Sequence, residues 1–246
     1  MTGESNSRTG AARPDLVYVL GAGRSGTTLL DVVLGNAAGA FSCGEIRKFL
    51  LLDGRPAGMP AESANWKFWD GVRSCVYREF TAGDIDRLAA VASRLESHKW
   101  FLTQWLGLPL LSRRDRGLYA RYIEVLLDAI AANGGGQVLI DSSKYPGRAL
   151  ALLPVLRERM KVAWIRRSRK DVVDSFGKTG IEQPAKNWLA ANLYWLAMRI
   201  MCGLTYLRVP ASRRASLEFD EFVGRPAATL EALAGDLDLD LADAVA

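Results

Sequence analysis

The stretch that decides the fold is Leu16-Val-Tyr-Val-Leu-Gly-Ala-Gly-Arg-Ser-Gly-Thr-Thr-Leu-Leu30. It begins as an apolar, β-branched run of strand length, passes through a glycine-rich turn and continues into a segment that predicts a helix. The glycines let the backbone bend tightly and approach a ligand closely. The amides and the dipole at the start of the helix favour an anion there. The stretch therefore predicts a phosphate-binding loop between a strand and a helix.

The loop differs from that of an ATPase in the position of its positive charge. Gly21 and Gly26 have the spacing of the pattern Gly-x-x-x-x-Gly-Lys-[Ser/Thr], but Thr27 stands where the lysine should be. The charge lies inside the loop instead, at Arg24. A loop without that lysine is poorly equipped to hold a triphosphate, so we expect a shorter phosphate group.

Length and composition indicate one globular domain. The chain has 246 residues, of which 49% are hydrophobic and 24% are charged, and this is enough to bury a sizeable core. We expect residues 1–14, which are polar and small, to form a disordered tail, and residues 15–246 to form a single domain. The tail has no apolar run of signal-peptide length, and the three cysteines are too scattered for a disulfide or zinc framework. The expected compartment is the cytoplasm.

The charge balance indicates an acidic small ligand. The formal net charge is +5 and much of the excess is clustered, above all around Arg166 to Lys170. No nucleic-acid motif accompanies these clusters, so we do not expect nucleic acid as a partner. The apolar tract Pro184 to Leu207 contains Asn192 and Arg199, which favours a buried core helix over a membrane span.

The order of patterns along the chain predicts an α/β fold with a central parallel sheet. Strands alternate with helices, and the mainly helical region 46–136 interrupts them as an insert. In such sheets, ligands bind beyond the carboxyl ends of the strands. The glycine loop, Glu45, Lys144 and Arg167 all come directly after predicted strands, so we expect them at one edge.

Residues 23–30, Gly-Arg-Ser-Gly-Thr-Thr-Leu-Leu, resemble the 5′-phosphosulfate loop of sulfotransferases that use 3′-phosphoadenosine 5′-phosphosulfate (PAPS). In that family, an arginine at a strand end and a serine eight residues later hold the 3′-phosphate, and Arg167 and Ser175 have this spacing. The resemblance implies a P-loop-like three-layer fold and sulfonate transfer to an acceptor hydroxyl, with adenosine 3′,5′-bisphosphate as product and no metal. The implied nucleotide-binding residues are Gly23, Arg24, Ser25, Gly26, Thr27, Thr28, Arg167 and Ser175.

The resemblance also implies catalytic roles for Glu45, Arg24 and Lys144. Glu45 lies twenty-one residues after Arg24, where tyrosylprotein and many bacterial sulfotransferases have their catalytic base. A carboxylate that merely caps the first turn of a helix is the alternative for Glu45. Lys144 resembles a lysine that approaches the sulfonate in several carbohydrate sulfotransferases. The one histidine, His98, is expected on a helix face far from the strand ends.

Two alternative functions use the same residues. Val138 to Asp141 is similar to the apolar strand and magnesium-binding aspartate of a nucleotide kinase or NTPase. The second alternative is a module that binds a nucleotide without turnover. The acceptor is expected to be a small molecule, a carbohydrate or a lipid-like alcohol, in a pocket shaped by aromatic residues of the insert: Trp66, Phe68, Trp69, Trp100, Phe101 and Trp105.

Overall fold

The computed structural model describes residues 13–56, 65–178, 186–237 and 239. The expected disordered tail therefore lies almost entirely outside the described residues, as does the first part of the apolar tract that begins at Pro184.

The centre of the fold is a parallel sheet of five strands in the order β2-β3-β1-β4-β5. All four neighbouring pairs are parallel. The predicted α/β class with a central parallel sheet is thus confirmed. The strands are β1 (Asp15–Leu20), β2 (Ala40–Ser42), β3 (Val138–Lys144), β4 (Met160–Arg166) and β5 (Arg214–Glu218).

Both faces of the sheet are covered because its central strand is apolar on both sides. In β1, Tyr18 and Leu20 join the core on one face, and Val17 and Val19 join the core on the other. All four side chains are fully buried. A strand with two apolar faces is stable only between two layers of helices, which gives three layers in all.

Helices fill the two outer layers unequally. Most of them pack on the face of Tyr18 and Leu20, including the helices that follow β2 and β3. The first helix and the last two helices pack on the face of Val17 and Val19. The helices are α1 (Thr27–Gly35), α2 (Trp66–Arg78), α3 (Ala82–Leu95), α4 (Phe101–Trp105), α5 (Arg113–Ile130), α6 (Pro146–Leu156), α7 (Arg169–Phe176), α8 (Trp188–Arg208), α9 (Phe219–Gly224) and α10 (Pro226–Leu237).

The described part of the insert is mainly helical, and α2 to α5 belong to it. Its aromatic residues serve mainly as core. Trp69 and Phe101 are buried, and Phe68 packs at 4.8 Å from Phe41 at the sheet edge. Trp105 donates a hydrogen bond to the Leu204 carbonyl of α8. The insert therefore stabilises one face of the sheet, and these aromatics do not gather into one pocket.

Helix α8 differs from the buried core helix that its sequence predicts. Its buried residues are Ala191, Met198, Cys202 and Thr205, and Trp188 is 68% exposed. The reason is that an apolar composition does not tell which faces of a helix are covered in one copy of the chain. Among the described helices, none is long and apolar enough to pass through a bilayer.

Candidate active site

The glycine loop has the backbone that its sequence predicts. Gly26 lies at φ 91° directly before α1, in the left-handed region where glycine is favoured. A Cβ atom at Gly26 would lie 2.3 Å from the Phe219 ring, so a side chain is excluded for a second reason. The first amides of α1 have no partner within the helix, and no side chain caps them. The end of the loop thus has the donors that an anion requires.

Arg24 and Lys144 share an unusual backbone conformation. Both have positive φ angles, 69° and 60°, although neither is glycine. Strain of this kind costs on the order of 1–3 kcal/mol and is concentrated at functional sites. Lys144 also pairs in register with Leu20, the last residue before the loop that contains Arg24. The structure therefore brings the loop and Lys144 together.

The loop hydroxyls do not all point the same way. Ser25 is buried and donates a hydrogen bond back to the Ala22 carbonyl at 2.5 Å, so it closes the turn. Thr27 is buried as well, whereas Thr28 is exposed. Of these three hydroxyls, Thr28 is therefore the one that a ligand reaches without a change of the loop.

Tyr194 of α8 is a site residue that the sequence did not indicate. Its hydroxyl accepts a hydrogen bond from the Gly23 amide at 2.8 Å. The ring packs edge-on against Phe176 of α7, at 5.3 Å, and Phe176 in turn lies 5.6 Å from the Arg24 guanidinium. No motif marks Tyr194, because 171 residues separate it from the loop and only the fold brings them together.

The predicted nucleotide-binding residues after β4 lie beside the loop. Arg167 donates a hydrogen bond to the Arg24 carbonyl at 3.0 Å, and its guanidinium lies 4.3 Å from the centre of the Phe219 ring. The Ser168 hydroxyl accepts from the Asp171 amide and so begins α7. Ser175 lies in the last turn of α7, next to Phe176, and is partly exposed. Arg167 and Ser175 thus both belong to the elements that flank Arg24.

Glu45 and Lys144 form an ion pair at the carboxyl ends of β2 and β3. Lys144 Nζ donates to Glu45 Oε1, and Lys48 Nζ lies 3.7 Å from Glu45 Oε2. Glu45 precedes a short 3-10 helix, Ile46–Lys48, but its side chain makes no capping hydrogen bond. The helix-cap alternative for Glu45 is therefore wrong, and its carboxylate is held by two lysines instead.

A buried network of charges supports the segment that carries Glu45. Arg148 of α6 donates to Asp141 of β3 at 2.8 Å and also to Glu96 after α3. Glu96 in addition accepts from Tyr119 at 2.8 Å, and Arg47 lies 3.5 Å from it. Each buried charge has an opposite partner, which is the condition for burying it at tolerable cost. The network fixes Arg47, two residues after Glu45, against the sheet.

The surroundings of Asp141 contradict the interpretation of Val138 to Asp141 as a strand with a magnesium-binding aspartate. The strand β3 does not end before Asp141 but continues to Lys144. Within the strand, the Asp141 carboxylate is fully buried, accepts from the Ser143 amide at 2.9 Å and pairs with Arg148. It holds α6 and β3 together rather than facing a ligand.

His98 lies closer to the strand ends than expected. Its ring stacks on Tyr145, the residue after Lys144, with ring centres 4.5 Å apart, and the Arg47 guanidinium lies 4.1 Å from the centre of the Tyr145 ring. Burial, followed by the nearby charge of Arg47, lowers the pKa of His98 to about 4. His98 is therefore neutral at physiological pH. The expectation that it lies far from the strand ends is wrong, because the insert folds back over α6.

Asp31 of α1 gives the protein a pH-dependent stability. Burial raises its pKa to about 6, although the Ser42 hydroxyl donates to it at 2.7 Å. The folded protein thus binds the proton more tightly than the unfolded chain, and stability rises as the pH falls from about 7 to 4.

We expect Asp31→Asn to remove this dependence. The variant keeps the hydrogen bond from Ser42 but has no charge to bury, so its unfolding free energy at pH 8 should exceed that of the wild type by about 1–3 kcal/mol. Near pH 4 the two should converge. Urea unfolding of both proteins at the two pH values measures this, and an equal difference at both values would contradict the assignment.

One large cavity is remote from this site. It has a volume of about 810 Å³ and is lined by the ends of α4, α6 and α8, with Glu158 and Pro210 just before β4 and β5. It therefore lies at the amino ends of the strands, opposite the glycine loop. None of the predicted nucleotide-binding or catalytic residues lines it, and of the six aromatic residues expected to shape the acceptor pocket, Trp105 alone does.

Comparison with known proteins agrees with the fold and with the motifs. A model of the sulfotransferase family matches residues 14–243. Similar solved structures include the sulfotransferase domain from the curacin biosynthetic pathway, with 18% identity, a TM-score of 0.53, and coverage of 93% of this chain and 75% of that one. Another is the sulfotransferase domain of the Synechococcus PCC 7002 olefin synthase, with 18% identity, a TM-score of 0.53, and coverage of 96% and 77%. A third is sulfotransferase STF1 from Mycobacterium tuberculosis H37Rv, with 13% identity, a TM-score of 0.55, and coverage of 95% and 71%.

At these identities, the solved structures show a shared fold only. Among curated protein sequences, none matches the chain. The sequence left three functions open. The family model supports the sulfotransferase over a kinase or NTPase and over a binding module without turnover. Because its match extends over nearly the whole chain, this protein belongs to the sulfotransferase family.

Proposed function

We propose that this enzyme transfers the sulfonate group of PAPS to an acceptor hydroxyl. One observation carries the proposal above the others. The anion-binding loop, the arginine after β4 and the Glu45–Lys144 ion pair all lie at the carboxyl edge of the sheet, around β1. This is where parallel sheets bind ligands. A donor phosphosulfate and a proton-accepting carboxylate would therefore meet at one place.

The 5′-phosphosulfate would bind at the loop. The first amides of α1, Thr28 and Arg24 supply donors, and the α1 dipole adds to them. Tyr194 fits this role too, because a hydroxyl that accepts from the Gly23 amide still has its own hydrogen to donate to a phosphate oxygen. The 3′-phosphate would bind Arg167 through its planar guanidinium and Ser175 through its hydroxyl.

The reaction is a displacement at sulfur. The acceptor oxygen forms a bond to sulfur as Glu45 takes the hydroxyl proton, and the bond from sulfur to the phosphate oxygen breaks. The electron pair of that bond stays on the phosphate oxygen, so adenosine 3′,5′-bisphosphate leaves. Arg24 and Lys144 would stabilise the charge that grows there. Protonation of Glu45 also weakens its hold on Lys144, so the ammonium is released when the leaving oxygen needs it.

The acceptor class stays open among small molecules, carbohydrates and lipid-like alcohols. The aromatic residues named for the pocket do not define it, since three of the six, Phe68, Trp69 and Phe101, pack inside the protein. The cytoplasmic location likewise stays a prediction from the sequence.

Nucleotide selectivity tests the proposal. If Arg167 and Ser175 hold a 3′-phosphate, adenosine 3′,5′-bisphosphate should bind far more tightly than adenosine 5′-phosphate. Arg167→Ala should weaken binding of the bisphosphate by about 1.5–3 kcal/mol, which is the value of a charged hydrogen bond. It should leave binding of the monophosphate nearly unchanged. Isothermal titration calorimetry measures all four affinities.

Arg169→Ala is the matched control for Arg167→Ala. Arg169 is exposed and bonds Asn192 on α8 at 3.2 Å, so its loss removes the same charge two residues away. It should affect both nucleotides slightly and equally. Equal affinity of the wild type for the two nucleotides would overturn the 3′-phosphate assignment, and tighter binding of magnesium-ATP would favour a kinase.

A further inference from the structure

The strained residue Lys144 is followed by a residue whose own backbone is restricted. Lys144 has a positive φ of 60°, a conformation that persists only where the surrounding structure enforces it. The next residue, Tyr145, has an extended backbone and precedes Pro146, the first residue of α6. A proline disfavours the helical conformation in the residue before it, which keeps Tyr145 extended. The conformation of Lys144 therefore depends on what holds Tyr145.

Other elements hold both the backbone and the ring of Tyr145. Its carbonyl accepts a hydrogen bond at 2.9 Å from the hydroxyl of Tyr18, which is buried in β1. Its ring stacks on His98, with ring centres 4.5 Å apart and planes 7° from parallel. The Arg47 guanidinium lies 4.1 Å from the centre of the same ring. We call Tyr145, His98 and Arg47 the tyrosine stack.

The tyrosine stack joins the two segments that carry the Glu45–Lys144 ion pair. Arg47 is two residues after Glu45, and Tyr145 directly follows Lys144. The contact between Arg47 and Tyr145 is therefore a second link between these segments, beside the ion pair itself. The backbone amide of Arg47 donates to the Ser143 hydroxyl at 3.1 Å and adds a third link. The relative position of Glu45 and Lys144 thus depends on the stack.

The stack is anchored in the interior through Arg47. The Arg47 Nε atom lies 3.5 Å from the carboxylate of Glu96, which is buried and also paired with Arg148. The Tyr145 hydroxyl makes no hydrogen bond within the described part of the chain, so the faces of the ring provide its side-chain contacts. An aromatic ring without the hydroxyl should therefore serve equally well at this position.

We propose that Tyr145 is a positioning residue for sulfonate transfer. The tyrosine stack keeps Lys144 and Glu45 at the distance at which they pair, and it thereby keeps the Lys144 ammonium where charge grows on the leaving oxygen. The role in transfer rests on the proposed function, whereas the role in the ion pair rests on the contacts alone. Because a misplacement of about 1 Å can cost about 10²-fold in rate, a loose Lys144 should slow transfer strongly.

A zero-length cross-link measures the position of Lys144 without any turnover. A water-soluble carbodiimide activates the Glu45 carboxylate, and an amine in contact with it then forms an amide. Two amines compete: Lys144, which is paired with Glu45, and Lys48, whose Nζ lies 3.7 Å from Glu45 Oε2. Peptide mass spectrometry gives the ratio of the two products. Tyr145→Ala should lower the ratio of Lys144 product to Lys48 product by about tenfold, because coupling depends on contact geometry. Tyr145→Phe should keep the wild-type ratio.

Tyr206→Ala is the matched control for Tyr145→Ala. The Tyr206 ring also contacts an arginine, Arg214 at 4.7 Å, and an aromatic ring, Trp164 at 5.4 Å, but it belongs to the last turn of α8. Its loss should leave the cross-link ratio unchanged. His98→Ala removes one partner of the Tyr145 ring and should lower the ratio less than Tyr145→Ala. Circular dichroism establishes which variants are folded. An unchanged ratio in Tyr145→Ala, or in His98→Ala if Tyr145→Ala does not fold, would overturn the proposal.

Turnover separates a positioning role from a merely structural one. In transfer of labelled sulfonate to phenols, sugars and lipid alcohols, Tyr145→Ala should lower kcat by about 10–100-fold and leave KM for PAPS nearly unchanged. In a Lys144→Ala background the same change should cost little more, because both residues act through one ammonium. Equal losses of kcat in the two backgrounds would contradict the positioning role. If the wild type sulfonates none of these acceptors, the proposed function fails, and the cross-link ratio alone decides whether Tyr145 positions Lys144.

Discussion

Glu45→Gln is expected to reduce turnover by about 10²–10⁴-fold, because it removes the proposed base, which takes the proton of the acceptor hydroxyl, and keeps the shape of the side chain. The glutamine oxygen can still accept a hydrogen bond from Lys144, which is bound to Glu45 in the wild type. Affinity for adenosine 3′,5′-bisphosphate should therefore change little. Transfer of labelled sulfonate to a panel of phenols, sugars and lipid alcohols measures turnover.

Glu79→Gln is the matched control for Glu45→Gln. It also converts a carboxylate that pairs with a cation, Arg121 at 3.1 Å, but it lies at the end of α2, away from the loop. Its turnover should equal that of the wild type. Near-normal turnover of Glu45→Gln would remove Glu45 from the mechanism. His98, whose ring stacks on Tyr145 beside Lys144, would then be the next residue to replace.

Arg24→Ala is expected to reduce turnover by about 10²–10³-fold and to weaken binding of the product nucleotide by less than about tenfold. The reason is that a charge aimed at the leaving oxygen matters most in the transition state, where that oxygen becomes more negative. The two effects are measured separately, by single-turnover transfer and by calorimetry with adenosine 3′,5′-bisphosphate. If turnover and affinity fall by the same factor, Arg24 only holds the ligand.

Arg24→Lys is the control for the backbone. Position 24 has a left-handed conformation that any residue other than glycine adopts with strain, so alanine and lysine disturb the loop similarly. Lysine keeps the cation but not the planar fork of donors. Turnover of Arg24→Lys should therefore lie well above that of Arg24→Ala. Equal loss in the two would assign the effect to the loop conformation.

The loop and the strand ends were predictable because their signals are local. A strand, three glycines and a helix start form one continuous segment, and Gly26 has the left-handed backbone that only glycine adopts freely. The parallel sheet then follows from alternating strands and helices, and it places Glu45, Lys144 and Arg167 at one edge. Residues that directly follow parallel strands are near one another whatever the details of packing.

Contacts between distant segments were not predictable in the same way. Nothing near Tyr194 indicates that its hydroxyl meets the Gly23 amide, and nothing near Asp141 indicates that Arg148 neutralises it inside β3. His98 was placed wrongly for the same reason, since its stacking on Tyr145 depends on the path of the insert. Each of these contacts depends on how one layer of helices packs on the sheet.

The sequence by itself determined the fold class, the anion-binding loop and the family, because these depend on short segments whose backbone preferences are intrinsic. Only the tertiary structure decided what each side chain contacts: that Glu45 pairs with lysines rather than capping a helix, and that α8 has an apolar face left uncovered. The physical reason is that burial and ion pairing are properties of surfaces brought together by folding, and residue order specifies them only through the complete packing of the chain.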